Sequence, residues 1–397
     1  MKSIAVLSCA VCLVALTPGL YGQRLSTLYS IPGEIPAGLT GTKEVLYGAT
    51  RGVSGDGPGS CGTVFELLPP VARGDSWTPI VLYSFVFGVG GPDACQPMAA
   101  PLVASDGTLF GVTSQGGVNP PPDFGALYAV NPPATSGGTW SEDVLYSFGM
   151  PGSNISTPAT NIVPGPGGSF YVLTSTFGLC QLHPPASPGG PWTATVPYSF
   201  PTDGQGSTSL VAGPNGILYG TTHDSAFRLK PPATPGGAWT ETVLHAFYPS
   251  NGPAGNPIAL TVAGNGTLYG TAYGNDPPLG GGESTIFQLT PPSAAGAQWT
   301  YANLTVPTNT EHFNTPVVIA NGRLYGGITT GTGGSIYELL PPSSSGGDWT
   351  LTTLYTFTNG QIPSGNLVAG EDGTIYGTTA AAPGQPSGGT VFAITKN

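Results

Sequence analysis

Short runs of alternating apolar and polar residues recur along the chain, and this period of two predicts β-strands rather than helices. The clearest run starts at a tryptophan, as in WTPIVLYSF from Trp77 to Phe85. Related runs start at the five other tryptophans of the sequence, Trp140, Trp192, Trp239, Trp299 and Trp349. Each tryptophan lies seven residues after the second proline of a Pro-Pro pair that ends another apolar run, such as TVFELLPP. This fixed spacing predicts a tandem repeat.

Two further runs complete the repeated unit. A phrase of the LYG type, such as VLYGAT, occurs seven times, and a weaker run rich in small residues precedes it. We label the four strands a (small residues), b (the LYG phrase), c (ending at Pro-Pro) and d (starting at Trp). Five a-to-b junctions carry Asp-Gly or Asn-Gly, which favours a two-residue type I′ hairpin because both turn positions need positive φ. These junctions are Asp106-Gly107, Asn215-Gly216, Asn265-Gly266, Asn321-Gly322 and Asp372-Gly373.

The two ends of the chain complement each other. Strands a, b and c occur seven times, whereas tryptophan-initiated d strands occur six times. The segment RLSTLYSI after Gln23 matches the d phrase, and the seventh c strand, TVFAITKN, has no d strand after it. We therefore predict an all-β fold, a seven-bladed β-propeller with four antiparallel strands per blade, whose last blade joins residues 363–395 to the N-terminal strand 25–31. An open solenoid is the alternative, but it needs end caps that the sequence does not show.

Composition agrees with this class. The 63 Gly and 43 Pro, with 7% charged residues, argue against helical bundles, and the 17 Tyr and 15 Phe argue against disorder.

The repeat resembles that of the GloVer tandem-repeat family of bacterial exported proteins over nearly the whole mature chain. The resemblance lies in the order of its phrases, which is LYGTT, a glycine-rich stretch, G-T-V-F-x-L-x-P and W-T-x-x-V-L-Y-S-F. The resemblance implies a propeller and supplies no catalytic residues. The phrases QLHPP in blade 3 and NLTVP in blade 5 depart from it most.

The first 22 residues have the pattern of a secretory signal peptide. Lys2 precedes an apolar run from Ile4 to Leu16, and Pro18 and Gly19 follow. A membrane anchor is the alternative, but this run is shorter than the ~20 residues that span a bilayer. We therefore expect residues 1–22 to be removed and residues 23–397 to form a single propeller domain that is secreted, periplasmic or at the cell surface.

Charge and cysteines limit the partners. The net charge of −11 disfavours nucleic acid and anionic lipid, so we expect the protein to bind neither nucleic acid nor membrane. We also expect a monomer that holds no cofactor.

Cys61 and Cys95 fall in loops of one blade, where export permits a disulfide; two free thiols are the alternative. Cys180 falls in a c strand, where a buried free thiol is expected.

One end of the predicted propeller varies in length from blade to blade. The b-to-c and d-to-a connections meet at this end, and insertions concentrated at one end usually mark a binding face. The ionisable residues that map there are Asp56, Asp93, Asp123, Asp203, His223, Asp224, Asp276, Glu283, Glu311 and His312, with Arg51 as nearly the only cation. His223-Asp224 and Glu311-His312 could converge on a polar ligand or a divalent metal. The competing interpretation is solvated loop residues, and adjacent ligands cannot easily reach one ion, so no metal is predicted.

Other polar residues map to strands rather than to this end. His183 and His245 occupy strand positions where packing is the expected role. Glu142 and Asp143 lie on an outer strand, where a carboxylate pair is expected to form a water-facing edge.

Two functions remain open on the sequence. A binding or structural module needs only a shaped polar face for a glycan or protein, and Tyr248, Tyr273 and Phe313 could stack on sugars or on a partner. A secreted carbohydrate-active enzyme would need two facing carboxylates, for which the candidates are Asp203, Asp224, Asp276 and Glu311. Because no serine-hydrolase elbow, phosphate-binding loop or EF-hand motif is present, we favour binding or structural roles and predict no catalytic residue.

Overall fold

The computed structural model consists of seven small antiparallel sheets arranged as the blades of a propeller. The residues that it describes are 23–52, 61–72, 75–86, 94–117, 124–150, 155–175, 178–200, 208–234, 236–247, 256–273, 284–294, 296–305, 311–344, 346–358, 360–381 and 388–396. Within these ranges, none of the helices is long and apolar enough to cross a membrane. The predicted fold class is confirmed.

The strands follow the a, b, c, d order of the repeat. Strand β1 is Gln23–Pro32, and blade 1 holds β2 (Glu34–Gly41), β3 (Leu46–Gly52), β4 (Thr63–Leu68) and β5 (Thr78–Ser84). Blade 2 holds β6 (Ala94–Pro97), β7 (Leu102–Val103), β8 (Leu109–Gly116) and β9 (Ala126–Asn131), with β10 (Ser141–Ser147) outermost. Blade 3 holds β11 (Val163–Pro164), β12 (Phe170–Leu173), β13 (Gly178–His183) and β14 (Thr193–Ser199), with a 3-10 turn at Pro166–Gly168.

The second half of the ring repeats this order. Blade 4 holds β15 (Ser209–Ala212), β16 (Leu218–Thr221), β17 (Ser225–Lys230) and β18 (Thr240–Ala246), with a 3-10 turn at Pro214–Gly216. Blade 5 holds β19 (Pro257–Val262), β20 (Leu268–Tyr273), β21 (Ser284–Thr290) and β22 (Thr300–Thr305). Blade 6 holds β23 (His312–Phe313), β24 (Val318–Ala320), β25 (Arg323–Thr330), β26 (Gly333–Leu340) and β27 (Thr350–Thr356). Blade 7 holds β28 (Gln361–Ala369), β29 (Ile375–Ala381) and β30 (Gly388–Lys396), joined by β1.

The amino-terminal strand closes the ring. Strand β1 pairs antiparallel with β30, and Thr27 lies opposite Phe392, one position from the pair Ser26 and Ala393. Blade 7 therefore takes its first three strands from the end of the chain and its outermost strand from the beginning. This arrangement, predicted from the missing seventh d strand, leaves β30 with partners on both sides.

The core lies between the blades. Seven clusters of buried apolar residues occupy the seven interfaces of neighbouring sheets. Four of the tryptophans that open d strands pack edge-on against the b-strand tyrosine of the preceding blade, as Trp239 does on Tyr171 with ring centroids 5.5 Å apart. In these four cases the repeated Trp and Tyr form a contact between blades rather than within one blade. Trp192 differs, because its ring stacks on Phe170 of its own blade, with centroids 5.8 Å apart.

A bulge in the d strand explains the repeated Leu-Tyr-Ser-Phe ending. In each blade the pairing of strands c and d shifts by one residue near this phrase, as between Val81 and Tyr83 in blade 1. The extra residue, Leu82, is 7% exposed, and Phe85 is fully buried. The bulge therefore turns both apolar side chains toward the core, which strict alternation would not do.

The a-to-b turns are of two kinds. At Asn215-Gly216 and Asn321-Gly322 both residues have positive φ, as predicted for type I′. At Asp106, Asn265 and Asp372 the prediction is wrong, because only the following glycine has positive φ. Each of these three side chains accepts a hydrogen bond from the N–H two residues on, at 3.0 Å, which favours an Asx turn with negative φ.

The outer rim holds a contact that the sequence did not indicate. Glu142 is half-buried and accepts hydrogen bonds from the Ala94 N–H, at 3.1 Å, and from the Tyr83 hydroxyl of blade 1, at 3.4 Å. Of the carboxylate pair expected at a water-facing edge, only Asp143 is exposed. Glu241 repeats the contact in blade 4, where it accepts a hydrogen bond of 2.6 Å from Tyr198 of blade 3.

Candidate functional site

The two ends of the propeller differ in construction. At the end formed by the c-to-d and a-to-b turns, blades 2 to 6 carry the same c-to-d turn, in which an N–H bonds the carbonyl three residues back over 3.0 to 3.2 Å. These pairs are Gly138 to Thr135, Gly190 to Ser187, Gly237 to Thr234, Ala297 to Ala294 and Gly347 to Ser344. We call this the turn end. Five blades therefore share one c-to-d turn at this end.

The opposite end, which we call the loop end, contains the b-to-c and d-to-a connections and most of the variation in length. The distance from the b-strand aromatic to the first proline is 22 residues at Tyr47 and Tyr269 but 12 at Tyr219. Several residues predicted to bind here lie outside the described residues, namely Asp56, Asp93, Asp123, Asp203, Asp276, Glu283 and Tyr248. Their place in a site stays a prediction.

A disulfide fixes part of the loop end. Cys61, before the c strand of blade 1, is bonded to Cys95, in the first strand of blade 2, with an S–S distance of 2.04 Å. Both cysteines are buried. The Gln96 N–H also donates to the Cys61 carbonyl, at 2.9 Å, so the bond joins two blades at a point where their backbones already meet.

Arg51 reinforces the same junction. Its Nε donates to the Pro97 carbonyl at 3.1 Å, and its Nη2 donates to the Met98 carbonyl at 2.6 Å. The Gln96 side chain returns a hydrogen bond to the Gly52 carbonyl, at 3.0 Å. Arg51 is predicted to be nearly the only cation of an acidic face, and its described contacts connect blade 1 to blade 2.

His223 and Asp224 form the tight b-to-c turn of blade 4. His223 is exposed, whereas Asp224 is half-buried and accepts a 2.8 Å hydrogen bond from the Thr222 hydroxyl. The Asp224 carbonyl also accepts from the Phe247 N–H, at 2.7 Å. Asp224 thus holds the turn in place, which leaves His223 as the residue of this pair that faces solvent.

Glu311 and His312 lie at the start of blade 6. His312 Nδ1 is 3.3 Å from the hydroxyl of the buried Ser284, and its ring packs edge-on against Tyr273 with centroids 4.7 Å apart. Tyr273, Glu311 and His312 are all half-buried. Tyr273 and His312 thus form a contact between blades 5 and 6, and Glu311 precedes His312 in the chain.

The remaining candidates divide between the core and other contacts. Phe313, considered for ligand stacking, is fully buried and packs on Tyr337, so this interpretation is wrong. His245 stacks on Tyr301 with centroids 3.9 Å apart, as the packing interpretation expected, whereas His183 bonds Thr195 at 2.9 Å. Cys180 is buried and free, and burial raises the pKa of its thiol to about 12.

The pairs in blades 4 and 6 are separated by blade 5. Among the residues whose placement is described, no group of three or more His, Cys, Asp or Glu side chains could hold a metal ion. Joint binding by His223, Asp224, Glu311 and His312 therefore stays a prediction.

A cavity that sequence reasoning missed lies among the inner strands of blades 7, 1, 2 and 3. It has a volume of about 190 Å³, and its lining includes Leu39, Ile162, Asn161 and Asn366. The inner strand of blade 2 is interrupted there, because β6 ends at Pro97 and β7 begins at Leu102. Pro101 in the first position before β7 is the signal that could have indicated the interruption, since proline cannot donate to a sheet ladder.

Comparisons with known proteins show similarity in fold. No family model and no curated protein matches the chain. Virginiamycin B lyase from Staphylococcus aureus is similar in structure, with a TM-score of 0.53 and 15% identity over 93% of this chain and 99% of that one. A β-propeller domain from Myceliophteria thermophila gives a TM-score of 0.52 and 10% identity, over 94% and 100% of the two chains.

A third similar structure is the extracellular domain of a B. thetaiotaomicron protein named as a hybrid two-component system. Its TM-score is 0.55 at 13% identity, and the match covers 93% of this chain and 39% of that one. At such identities the similarity concerns architecture alone. The chain is a seven-bladed β-propeller, a fold that does not by itself specify a function.

Proposed function

We propose that this protein is an exported propeller that acts as a binding module, taking a glycan or protein ligand at its loop end. The observation that carries the proposal is the contrast between the two ends. The turn end repeats one hydrogen-bonded turn, whereas the loop end varies in length and is held by the Cys61–Cys95 disulfide. A rigid scaffold that presents variable loops is the usual construction of a binding surface.

The exposed groups suit such a role. His223 is exposed on the tight turn of blade 4, and the contacting pair of Tyr273 and His312 is half-buried between blades 5 and 6, as is the neighbouring Glu311. A tyrosine ring with an imidazole beside it offers both an apolar face and hydrogen-bonding groups, which sugars and peptide side chains both require.

The test uses the secreted full-length protein and a matched set of surface variants. The protein is screened on a panel of glycans and on extracellular proteins of its source, with mass detection of any cleaved product. We expect a ligand whose affinity falls in His223→Ala and Tyr273→Phe and is unchanged in Glu371→Gln, an exposed change at the turn end. Equal losses in all three variants, no ligand in either panel, or turnover of a glycan would contradict the proposal.

Export is tested on the same sample. We expect the secreted form to begin at Gln23, because the cleavage site predicted after Gly22 removes the apolar leader. Amino-terminal sequencing of the protein recovered outside the cytoplasm measures this directly. Retention of Met1 with the cell-associated fraction would contradict it.

A further inference from the structure

The cavity near the propeller axis has features of a small-molecule site that is separate from the loop end. Its volume of about 190 Å³ is below the ~300 Å³ at which pockets for drug-sized ligands begin, so it has room only for a small ligand. All the residues that line it are uncharged. The cavity is therefore suited to a compact and neutral ligand, because burying a charge without a partner is costly.

The lining has an apolar part and a polar part. Leu102 and Ile162 supply accessible apolar surface, and Leu39 is fully buried behind the wall, whereas Thr40, Asn161 and Asn366 supply polar groups. The Asn366 carboxamide is already engaged, since it donates to the Leu39 carbonyl at 2.7 Å and accepts from the Leu39 N–H at 3.3 Å. It therefore fixes the wall where blades 7 and 1 meet.

Asn161 and Thr40 are available to a ligand. The Asn161 residue is exposed, and within the described ranges its carboxamide has no hydrogen-bond partner. The Thr40 hydroxyl likewise has none among the described residues. A carboxamide both donates and accepts, and a hydroxyl does the same, so this side of the cavity can satisfy a ligand that carries several hydroxyl groups.

The interrupted inner strand of blade 2 adds further donors. Ala99 and Ala100 line the cavity and lie between β6 and β7, outside the sheet ladder. In the part of the chain that the structure describes, their N–H groups have no hydrogen-bond partner. Backbone groups without a partner are normally satisfied by water or by a ligand, so the cavity is polar enough to hold either.

Glycine keeps the space open beside Asn366. A Cβ atom at Gly38, whose φ is +133°, would lie 2.4 Å from the Asn366 Oδ1 atom and 3.5 Å from the Ala100 nitrogen. Any side chain at this position would therefore push into the seam where blades 7, 1 and 2 meet.

We propose that this cavity binds a single uncharged sugar ring, either a free monosaccharide or the terminal residue of a glycan. A pyranose has apolar C–H faces and a rim of hydroxyl groups that donate and accept. The lining offers matching groups, because it combines the aliphatic side chains of Leu102 and Ile162 with the polar side chains of Asn161 and Thr40 and with backbone amides that have no partner among the described residues. The absence of charged groups from the lining selects neutral sugars over uronates and amino sugars. This site does not depend on the ligand proposed for the loop end.

The test measures binding of free monosaccharides to the full-length protein by calorimetry and by ligand-observed NMR. The panel contains glucose, galactose, mannose and N-acetylglucosamine, with glucuronate and glucosamine as charged counterparts. We expect one neutral sugar to bind and its charged counterpart to bind at least about tenfold more weakly. In Asn161→Leu, the affinity for that sugar falls about tenfold, since a leucine of similar size removes one or two hydrogen bonds.

Two controls separate this site from folding and from the loop end. Gln298→Leu makes the same kind of change at an exposed position of the turn end and leaves sugar affinity unchanged, as does His223→Ala. Ala100→Leu, which fills the cavity, abolishes binding while the near-UV circular dichroism is retained. The proposal is overturned if no sugar of the panel binds, if Asn161→Leu binds as tightly as the natural sequence, or if His223→Ala abolishes binding.

Discussion

The glycine of the LYG phrase lies directly opposite an aromatic residue of strand c. Gly48 pairs with Phe65, and a Cβ atom at Gly48 would lie 2.2 Å from the tip of that ring. The same pair occurs in five other blades, as Gly111 with Tyr128 in blade 2. In blade 3 both members change together, to Val172 and Cys180. Blade 3 thus departs from the repeat by placing a larger residue in strand b and a smaller one in strand c, so that the two changes in side-chain volume compensate each other.

This exchange predicts a strong coupling in blade 1. Gly48→Val should destabilise the protein by about 1–3 kcal/mol through overpacking, and Phe65→Cys by about 3–5 kcal/mol through the cavity that it leaves. Together the two substitutions recreate the Val–Cys pair of blade 3. The double variant should therefore lose clearly less free energy of unfolding than the two single variants lose in sum. Urea unfolding of the four proteins measures the coupling, with Gly331→Val, where nothing lies within 4 Å of the added atom, as a control. Additive losses would refute the compensation.

His245 occupies a position that holds tyrosine in five other blades, and it stacks on Tyr301. Burial lowers the pKa of its imidazole below the usual 6.5, so the unfolded chain binds the proton more readily than the folded one. Stability is therefore lost as the pH falls from about 7 through 6.5 toward the lowered pKa. His245→Tyr should remove this part of the pH dependence and keep the stacking. Chemical unfolding of both proteins between pH 5 and 8 measures this difference. If the free energy of unfolding has the same pH dependence in both proteins, His245 is not its source.

At the scale of elements, the disulfide acts on two segments that already touch. Cys61 and Cys95 are 34 residues apart in sequence, and the bond joins the loop before β4 to strand β6. A closed loop of this size in the unfolded chain corresponds to about 3–4 kcal/mol in the chain-entropy account. Cys61→Ser with Cys95→Ser should therefore lower the free energy of unfolding by about 2–4 kcal/mol, measured by denaturant titration. Dithiothreitol should destabilise the natural protein and leave the double variant unaffected; sensitivity in both would exclude the bond as the cause.

The strands could be predicted from the sequence because each is marked by strong local signals. Tryptophan begins d, Pro-Pro ends c, and a glycine lies in most b strands. The a-to-b turns could be predicted only in part, because the choice between type I′ and an Asx turn depends on the local partner of the side chain, as Asp106 shows. The bulge in strand d is invisible as a pattern, since one inserted residue changes which side chains face the core without changing their order.

The site was harder to predict than the fold. Positions such as His223 and His312 could be assigned to one end, since strand direction fixes where each loop emerges, but the distances between blades depend on packing. The cavity beside Asn161 arises from the interruption between β6 and β7, in the a strands whose sequence signal is weakest. The burial of Phe313 could not be predicted, because its strand is only two residues long. A strand of this length shows no alternation of apolar and polar residues from which a buried ring could be told from an exposed one.

At the scale of the whole molecule, the ring has one interface without the repeated tryptophan. Blade 7 has Gln23 in that position, and Tyr325 of blade 6, which would face it, instead donates to the buried carboxylate of Glu338 at 2.8 Å. Glu338 in turn forms an ion pair of 2.7 Å with Arg323. A hydrogen-bonded network thus replaces an aromatic contact where the chain closes on itself.

Closure by β1 should therefore control the stability of the whole ring. Without residues 23–32, strand β30 becomes an open edge, and Ile31, which is 3% exposed, is lost from the cluster between blades 7 and 1. We expect this truncated protein to unfold at a lower denaturant concentration and to self-associate, because unpaired strand edges recruit other strands. A synthetic peptide of residues 23–32 should restore both the midpoint and the monomer, as measured by unfolding and light scattering. A scrambled peptide should restore neither, because the register from Gln23 to Pro32 places the apolar side chains of β1 against the core. If the truncated protein is as stable and as monomeric as the intact one, the other six interfaces hold the ring without its closing strand.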